Sequence, residues 1–218
     1  MTYEAETSQV KMKRIFFTFL LSLLSLASFA QSSDGERIAA KVAESGAGIV
    51  SISCDFVQTK RSAMLENELV SRGKMWFTKP DKLRWEYTSP YSNLFIMNGE
   101  KALLKNEKGS SLTDVKKNRM VKGISSMVMG CISGEWLRDS RAFGVEAVER
   151  DGEWVAVLTP RRGEFKQMWT SLELRFDPSS GTAKGIRMNG ASGDCTVIEF
   201  RNVEMNRPVP SDVFSLYK

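Results

Sequence analysis

From Ile49 onward apolar and polar residues alternate with a period of two, the spacing of a strand with one buried and one wet face. Val50, Ile52, Cys54 and Phe56 share one side; Ser51, Ser53, Asp55 and Gln58 or Thr59 lie on the other. The alternation returns in its strongest form at Gly73–Tyr87. There Met75 and Phe77 oppose Lys74 and Trp76, the chain breaks at Thr78–Lys82, and Leu83, Trp85 and Tyr87 then share a face while Arg84 and Glu86 share the other, placed to pair. Pro80 cannot donate to a ladder and restricts Lys79 before it, so this stretch predicts a hairpin with its turn at the proline.

More short strands follow. Leu94–Met97 and Ala102–Leu104 flank Asn98-Gly99, the strongest short hairpin signal. A turn at Asn106–Ser110 leads to Leu112 and Val115. Downstream, Phe143–Val148 and Trp154–Leu158 flank Asp151-Gly152, and Leu172–Phe176, Ala183–Met188 and Cys195–Met205 form a second meander before Val213-Phe214. Arg61–Asn67 reads as a polar loop, and Pro160–Gln167 as a basic connection with room for one turn of helix.

Two stretches switch to helical spacing. Ser33-Asp34-Gly35-Glu36 is a capping box opening an amphipathic segment with Ile38 and Val42, closed by Gly46 and Gly48. Within Asn118–Leu137, Met120, Ile124, Met127, Val128 and Cys131 form one apolar stripe, while Gly123, Gly130 and Gly134 weaken the helix. A loosely held lid and a core helix whose methionines fill gaps both fit that stripe. Together the pattern predicts a mainly β domain with some α, a curved antiparallel sheet or partial barrel with helices covering one side.

The first thirty residues stand apart. Lys11, Lys13 and Arg14 precede the apolar run Ile15–Leu26, and Ser28-Phe29-Ala30 supplies the small residues a signal peptidase reads, so cleavage after Ala30 is expected. Met12 is the expected start, and Gln31 after the cut, not a cysteine, gives no lipid attachment point. Residues 31–218 are then expected to make a single exported, soluble and monomeric domain of 188 residues, with 28 Lys/Arg against 24 Asp/Glu and a net charge of +4. The signs are interspersed, without the basic blocks of a nucleic-acid binder. Three cysteines are too few for a disulfide scaffold, and Cys54 and Cys195 at apolar strand positions are expected as buried free thiols.

The 218 residues include no histidine, which removes the commonest general base and metal ligand and every triad built on imidazole. Ser71-x-x-Lys74 falls within a strand, where residues three apart point to opposite faces. No phosphate loop, nucleophile elbow or paired Cys-x-x-Cys is present. The sequence therefore reads as a binding protein, not an enzyme, with no cofactor and no metal.

Gly73-x-Met75-Trp76-Phe77-x-Lys79-Pro80-x-x-Leu83-Arg84-Trp85-Glu86-Tyr87, followed by Pro90-Tyr91 and the Asn98-Gly99 turn, resembles the signature of the LolA family, periplasmic carriers of outer-membrane lipoproteins. The likeness runs from Phe56-x-Gln58 to Val213-Phe214. It implies an incompletely closed antiparallel β-barrel, a half-barrel whose concave apolar face, covered by helices, shelters acyl chains. On that reading Phe56, Met75, Phe77, Leu83, Trp85, Tyr87 and Ile96 line the cavity, Met120, Ile124, Met127 and Val128 face it from the lid, and Lys79, Leu83 and Arg84 lie at the mouth toward partners. The implied partners are acylated lipoproteins or other lipid cargo, an inner-membrane ABC-type lipoprotein-releasing transporter and an outer-membrane acceptor. Relatives with this fold carry other lipids or polyene pigments, or act as periplasmic sensor modules without lipid. One departure stands out: where the family commonly has arginine before the proline, this chain has Lys79, which keeps the charge and loses the bidentate fork.

Overall fold

The computed structural model describes residues 34–62, 66–118, 121–123, 128, 130, 131, 135–137 and 141–217. The leader, the capping serine Ser33 and the lid residues Met120, Ile124 and Met127 lie outside the described residues. Helix α1 covers 34–47 and ends at the glycine pair that the sequence marks. Six strands follow: β1 (Ser51–Arg61), β2 (Leu69–Thr78), β3 (Lys82–Ser89), β4 (Asn93–Asn98), β5 (Lys101–Asn106) and β6 (Gly109–Asp114). Residues 121–123, 128, 130 and 131 are helical, and Glu135–Leu137 is a short 3-10 turn. Then come β7 (Phe143–Arg150), β8 (Glu153–Pro160), helix α2 (Gly163–Met168), β9 (Trp169–Phe176), β10 (Ala183–Gly190), β11 (Cys195–Met205) and a 3-10 turn at Ser211–Phe214.

The strands form one antiparallel sheet of eleven in the order β6-β5-β4-β3-β2-β1-β11-β10-β9-β8-β7, with β6 and β7 left as edges, so the barrel is open. Two meanders, β1–β6 and β7–β11, are joined where β1 pairs with β11. Each turn has a local cause. Gly99 at φ 63°, and Asp151 and Gly152 at φ 53° and 72°, supply the left-handed backbone that tight hairpins need.

Burial on the inner face follows the alternation: Ile52, Cys54 and Phe56 of β1, Met75 and Phe77 of β2 and Leu83 of β3 are buried. Val50 departs from that set, 58 % exposed. It sits one residue before β1, where its N–H donates to Asn206 Oδ1 and its carbonyl accepts from Lys79 N, so it caps the sheet end instead of joining the core. Helix α1 lays Ile38, Val42 and Ala43 on the inner face, the i, i+4, i+5 stripe of an amphipathic helix, worth about 1.5–3 kcal/mol for each of the two larger side chains.

The outer face carries a core of its own. Ile96, Leu103 and Phe214 are buried together with Trp76, Leu94, Val209, Val213 and Leu216 packed around them, because the chain after β11 crosses back over β2–β5. Arg84 Nη1 donates to the Val213 carbonyl at 3.2 Å, and Asn98 Nδ2 to that of Phe214 at 3.2 Å.

Candidate functional site

Beneath α1 and the helical residues Val128 and Cys131 lies a hollow with two facing walls. Ile52 and Cys54 of β1, Met75 of β2 and Trp85 of β3 form one; Leu174 and Phe176 of β9, Ile186 of β10 and Ile198 of β11 form the other. Between β3 and β9 lie five strand spacings, about 24 Å on a flat sheet. Only strong curling brings both onto one small space.

A bulge sharpens that curl. Against β1 the register of β11 shifts between Ser53 and Asp55, and Asn202 adopts φ 52° with its amide donating to Asp55 Oδ2 at 2.8 Å. The extra residue changes parity, so Val203 and Met205 face the hollow alongside Ile198 and Phe200. Asparagine is among the few side chains that tolerate this backbone.

The enclosed space is about 50 Å³, within a concavity of about 830 Å³ counted out to its open side. A benzene-sized guest needs about 150 Å³. The enclosed part of the hollow is therefore smaller than an acyl chain requires.

Of the residues picked from sequence, Met75, Trp85 and Val128 line the hollow. Phe56, Phe77 and Leu83 belong to the same apolar cluster, fully buried beneath the lining. Phe56 anchors an aromatic group, 4.5 Å from the Trp85 ring and 5.2 Å edge-on to Tyr87. Its ring lies over Gly73, where an added Cβ would stand 2.4 Å from Phe56 Cζ and 2.0 Å from the Glu86 carbonyl oxygen. That close approach is the physical reason for a glycine opening the hairpin motif. Tyr87 is half-buried and donates to Gln58 Oε1 at 2.9 Å; burial pushes its hydroxyl up in pKa. The hydroxyl also feels the Trp85 indole N–H, but the geometry falls short of a hydrogen bond and Nε1 stays buried without a partner.

Three sequence expectations are corrected. Ile96 does not reach the hollow: it pairs with Arg84 and Leu103 on the outer face and is buried there under Phe214. Arg84 is likewise not at a mouth, since the same crossing segment covers it, holding the guanidinium against Glu86 at 2.8 Å and 5.8 Å from the Trp76 ring center. Leu83 has no exposed surface through which a partner could touch it. Lys79 lies beside the end of α1 and is not among the lining residues. Its ammonium donates to the Ala47 carbonyl at 3.0 Å, at the C-terminal end of α1 where a cation is favoured. Asn206 Nδ2 binds the next carbonyl, Gly48, at 3.1 Å.

Sequence reasoning centred on one hairpin and overlooked the far wall. Ile198 and Phe200, then Val203 and Met205, carry the signal: an alternation that changes frame across Asn202. Val121, fully buried in the roof, was also passed over. The thiols differ from expectation as well: Cys131 is buried with Cys54, while Cys195 is half-buried. Desolvation pushes Cys54 up to about 12, with a smaller contribution from Asp55, and burial pushes Cys131 up to about 12. Both therefore stay neutral and unreactive. Among the described residues no three metal-ligating side chains converge, and no helix is long and apolar enough to cross a membrane.

The family profile for the outer membrane lipoprotein carrier protein LolA matches residues 47–217, spanning every strand and both walls. The chain belongs to the LolA family. Relatives named outer-membrane lipoprotein carrier protein include one from Chromohalobacter salexigens, 27 % identical over 88 % of this chain and 86 % of its own length. Another, from Nitrosospira multiformis, is 26 % identical over 75 % and 76 %. In architecture the chain resembles one in the solved complex of Pseudomonas aeruginosa MucA and MucB, with a TM-score of 0.50 at 14 % identity, covering 84 % of this chain and 60 % of that one. The profile match begins at Ala47, so in this LolA-family chain it takes in the carbonyl that Lys79 holds but not the rest of α1.

Proposed function

We propose that this chain carries lipoproteins across the periplasm, sheltering their acyl chains between the two apolar walls after receiving them from an inner-membrane ABC-type transporter and before passing them to an outer-membrane acceptor. The observation that carries the reading is the wall chemistry. Six strands converge on one hollow, and its ionisable lining groups, Cys54 and Cys131, are held neutral. Such a surface recognises hydrocarbon by exclusion from water, at about 0.8 kcal/mol per methylene. Loading then requires the roof to part. The C-terminal end of α1 is held by two side-chain bonds, from Lys79 and Asn206, and Val128 and Cys131 add to the cover.

Mass spectrometry of what co-purifies with the protein from the periplasm tests this. A triacylated lipoprotein is expected; an extractable free lipid or pigment alone would replace lipoprotein with another cargo. In vitro, Leu83→Glu is expected to abolish binding of a fluorescent fatty-acid probe, and Val128→Trp, which fills space from the roof, to weaken it without unfolding the sheet. Unchanged binding in both would remove the hollow from the function. The small enclosed volume favours a second reading, a periplasmic module that binds a protein and no lipid. That reading expects a stable protein partner and an empty lipid extract.

A further inference from the structure

The two ends of the sheet differ in charge. Strand direction places the stretches 60–62, 66–72, 88–93, 104–110, 141–143, 160–170 and 189–196 along one rim, and these hold nine Lys/Arg against five Asp/Glu. The opposite rim, formed by 78–82, 98–102, 112–118, 148–155, 176–184 and 203–213, holds eight against nine. A solvated basic rim alone would call for no partner. This one also carries exposed apolar side chains among its charges, Leu69 at 43 %, Tyr91 at 63 % and Met168 at 54 % exposed, whereas the exposed Val50 and Leu112 of the opposite rim sit among charges of balanced sign. Met168 ends α2, whose exposed face also presents Lys166, with Arg162 just before the helix and the half-buried Trp169 just after it, stacked on Phe165.

Cations interleaved with protruding apolar groups suit an anionic lipid surface, where Lys and Arg near the headgroups are attracted and the apolar tips enter the headgroup layer. We infer that the basic rim docks transiently on anionic phospholipid. The hollow extends toward the opposite rim, beside Gly46, Gly181 and Met205, so docking leaves the end of α1 held by Lys79 facing away from the bilayer. This goes beyond the carrier reading and does not depend on what the hollow holds.

Co-sedimentation with vesicles of phosphatidylcholine containing about 30 % phosphatidylglycerol tests it, with parent and variants purified identically so that any leader is common to all. The parent is expected to bind these vesicles, to ignore pure phosphatidylcholine, and to be released by about 0.5 M salt. Arg162→Glu with Lys166→Glu should weaken binding more than about tenfold, and Tyr91→Ser with Met168→Ser about threefold, with thermal unfolding and fatty-acid probe binding unchanged. Hydrogen exchange on vesicles should protect 160–170 and leave the 176–184 turn as in solution. Failure of the parent to bind, or equal binding to neutral vesicles, overturns the inference. If the charge reversals abolish binding while the apolar double variant binds as the parent does, the contact is purely electrostatic, and the insertion of apolar tips into the headgroup layer is overturned.

Discussion

The concave face has two halves built to different ends. Toward β7 and β8 it is filled by aromatic rings: Trp136, Phe143 and Phe165 stack within 4.8–5.8 Å of one another, and the Trp136 indole presses on Gly130, where a Cβ would meet Nε1 at 2.3 Å. Toward β1–β3 and β11 the side chains stop short of meeting and leave the hollow. Both halves use the same apolar alphabet and the same alternation. What separates them is the stacked Trp136, Phe143 and Phe165 group on one side and, on the other, a lining that includes the small residues Cys54, Ala183 and Gly46. A hollow in a curled sheet is thus written by small residues at the wall, not by polar ones.

The comparison is broken most directly by paired truncations. Phe143→Ala, in the filled half, should cost about 3–5 kcal/mol in denaturant unfolding, whereas Met75→Ala, bordering existing space, should cost about 2 kcal/mol and raise affinity for a fatty-acid probe. Equal costs would mean that the halves do not differ in packing. Next in size, Gly73→Ala should lose about 2–3 kcal/mol, because its Cβ would collide with backbone and with the Phe56 ring, and the probe should bind poorly to what still folds.

Alkali sharpens the contrast, since both neutral thiols border the hollow. Their folded pKa is raised from 9.0 to about 12, so the unfolded chain releases protons first. Stability is therefore complete below pH 9 and falls as pH rises toward 12, by up to about 1.4 kcal/mol per pH unit for each thiol. Titrating urea midpoints for the parent and Cys54→Ala across that window checks the slope, which should be shallower in the variant. The smallest effect belongs to the roof: Lys79→Ala should lower stability by only about 0.5 kcal/mol, yet speed probe entry in stopped flow, because it frees the end of α1.

Much of this was legible beforehand. Hairpin turns at Asn98-Gly99 and Asp151-Gly152, the long β11 and the short helix within 160–167 follow from turn chemistry and period alone. Which face a residue serves was harder. Ile96 and Arg84 sit in correct strands, but alternation assigns two faces without saying which is concave, and here a distant segment, 207–216, buries the other face as well. The far wall escaped notice because its residues meet the hairpin only through curvature and through a bulge that turns on the backbone of a single asparagine.

The join between β1 and β11 has a kinetic consequence. It pairs Ile52 with Met205, so the meander begun first stays an unsatisfied edge until nearly the last strand exists. Such late closure of so distant a contact is slow, and the exposed border of β1 is open to wrong neighbours meanwhile. A chain delivered from its N-terminus is therefore most vulnerable to aggregation in the interval between those two strands, and a chaperone acting on it would matter most there.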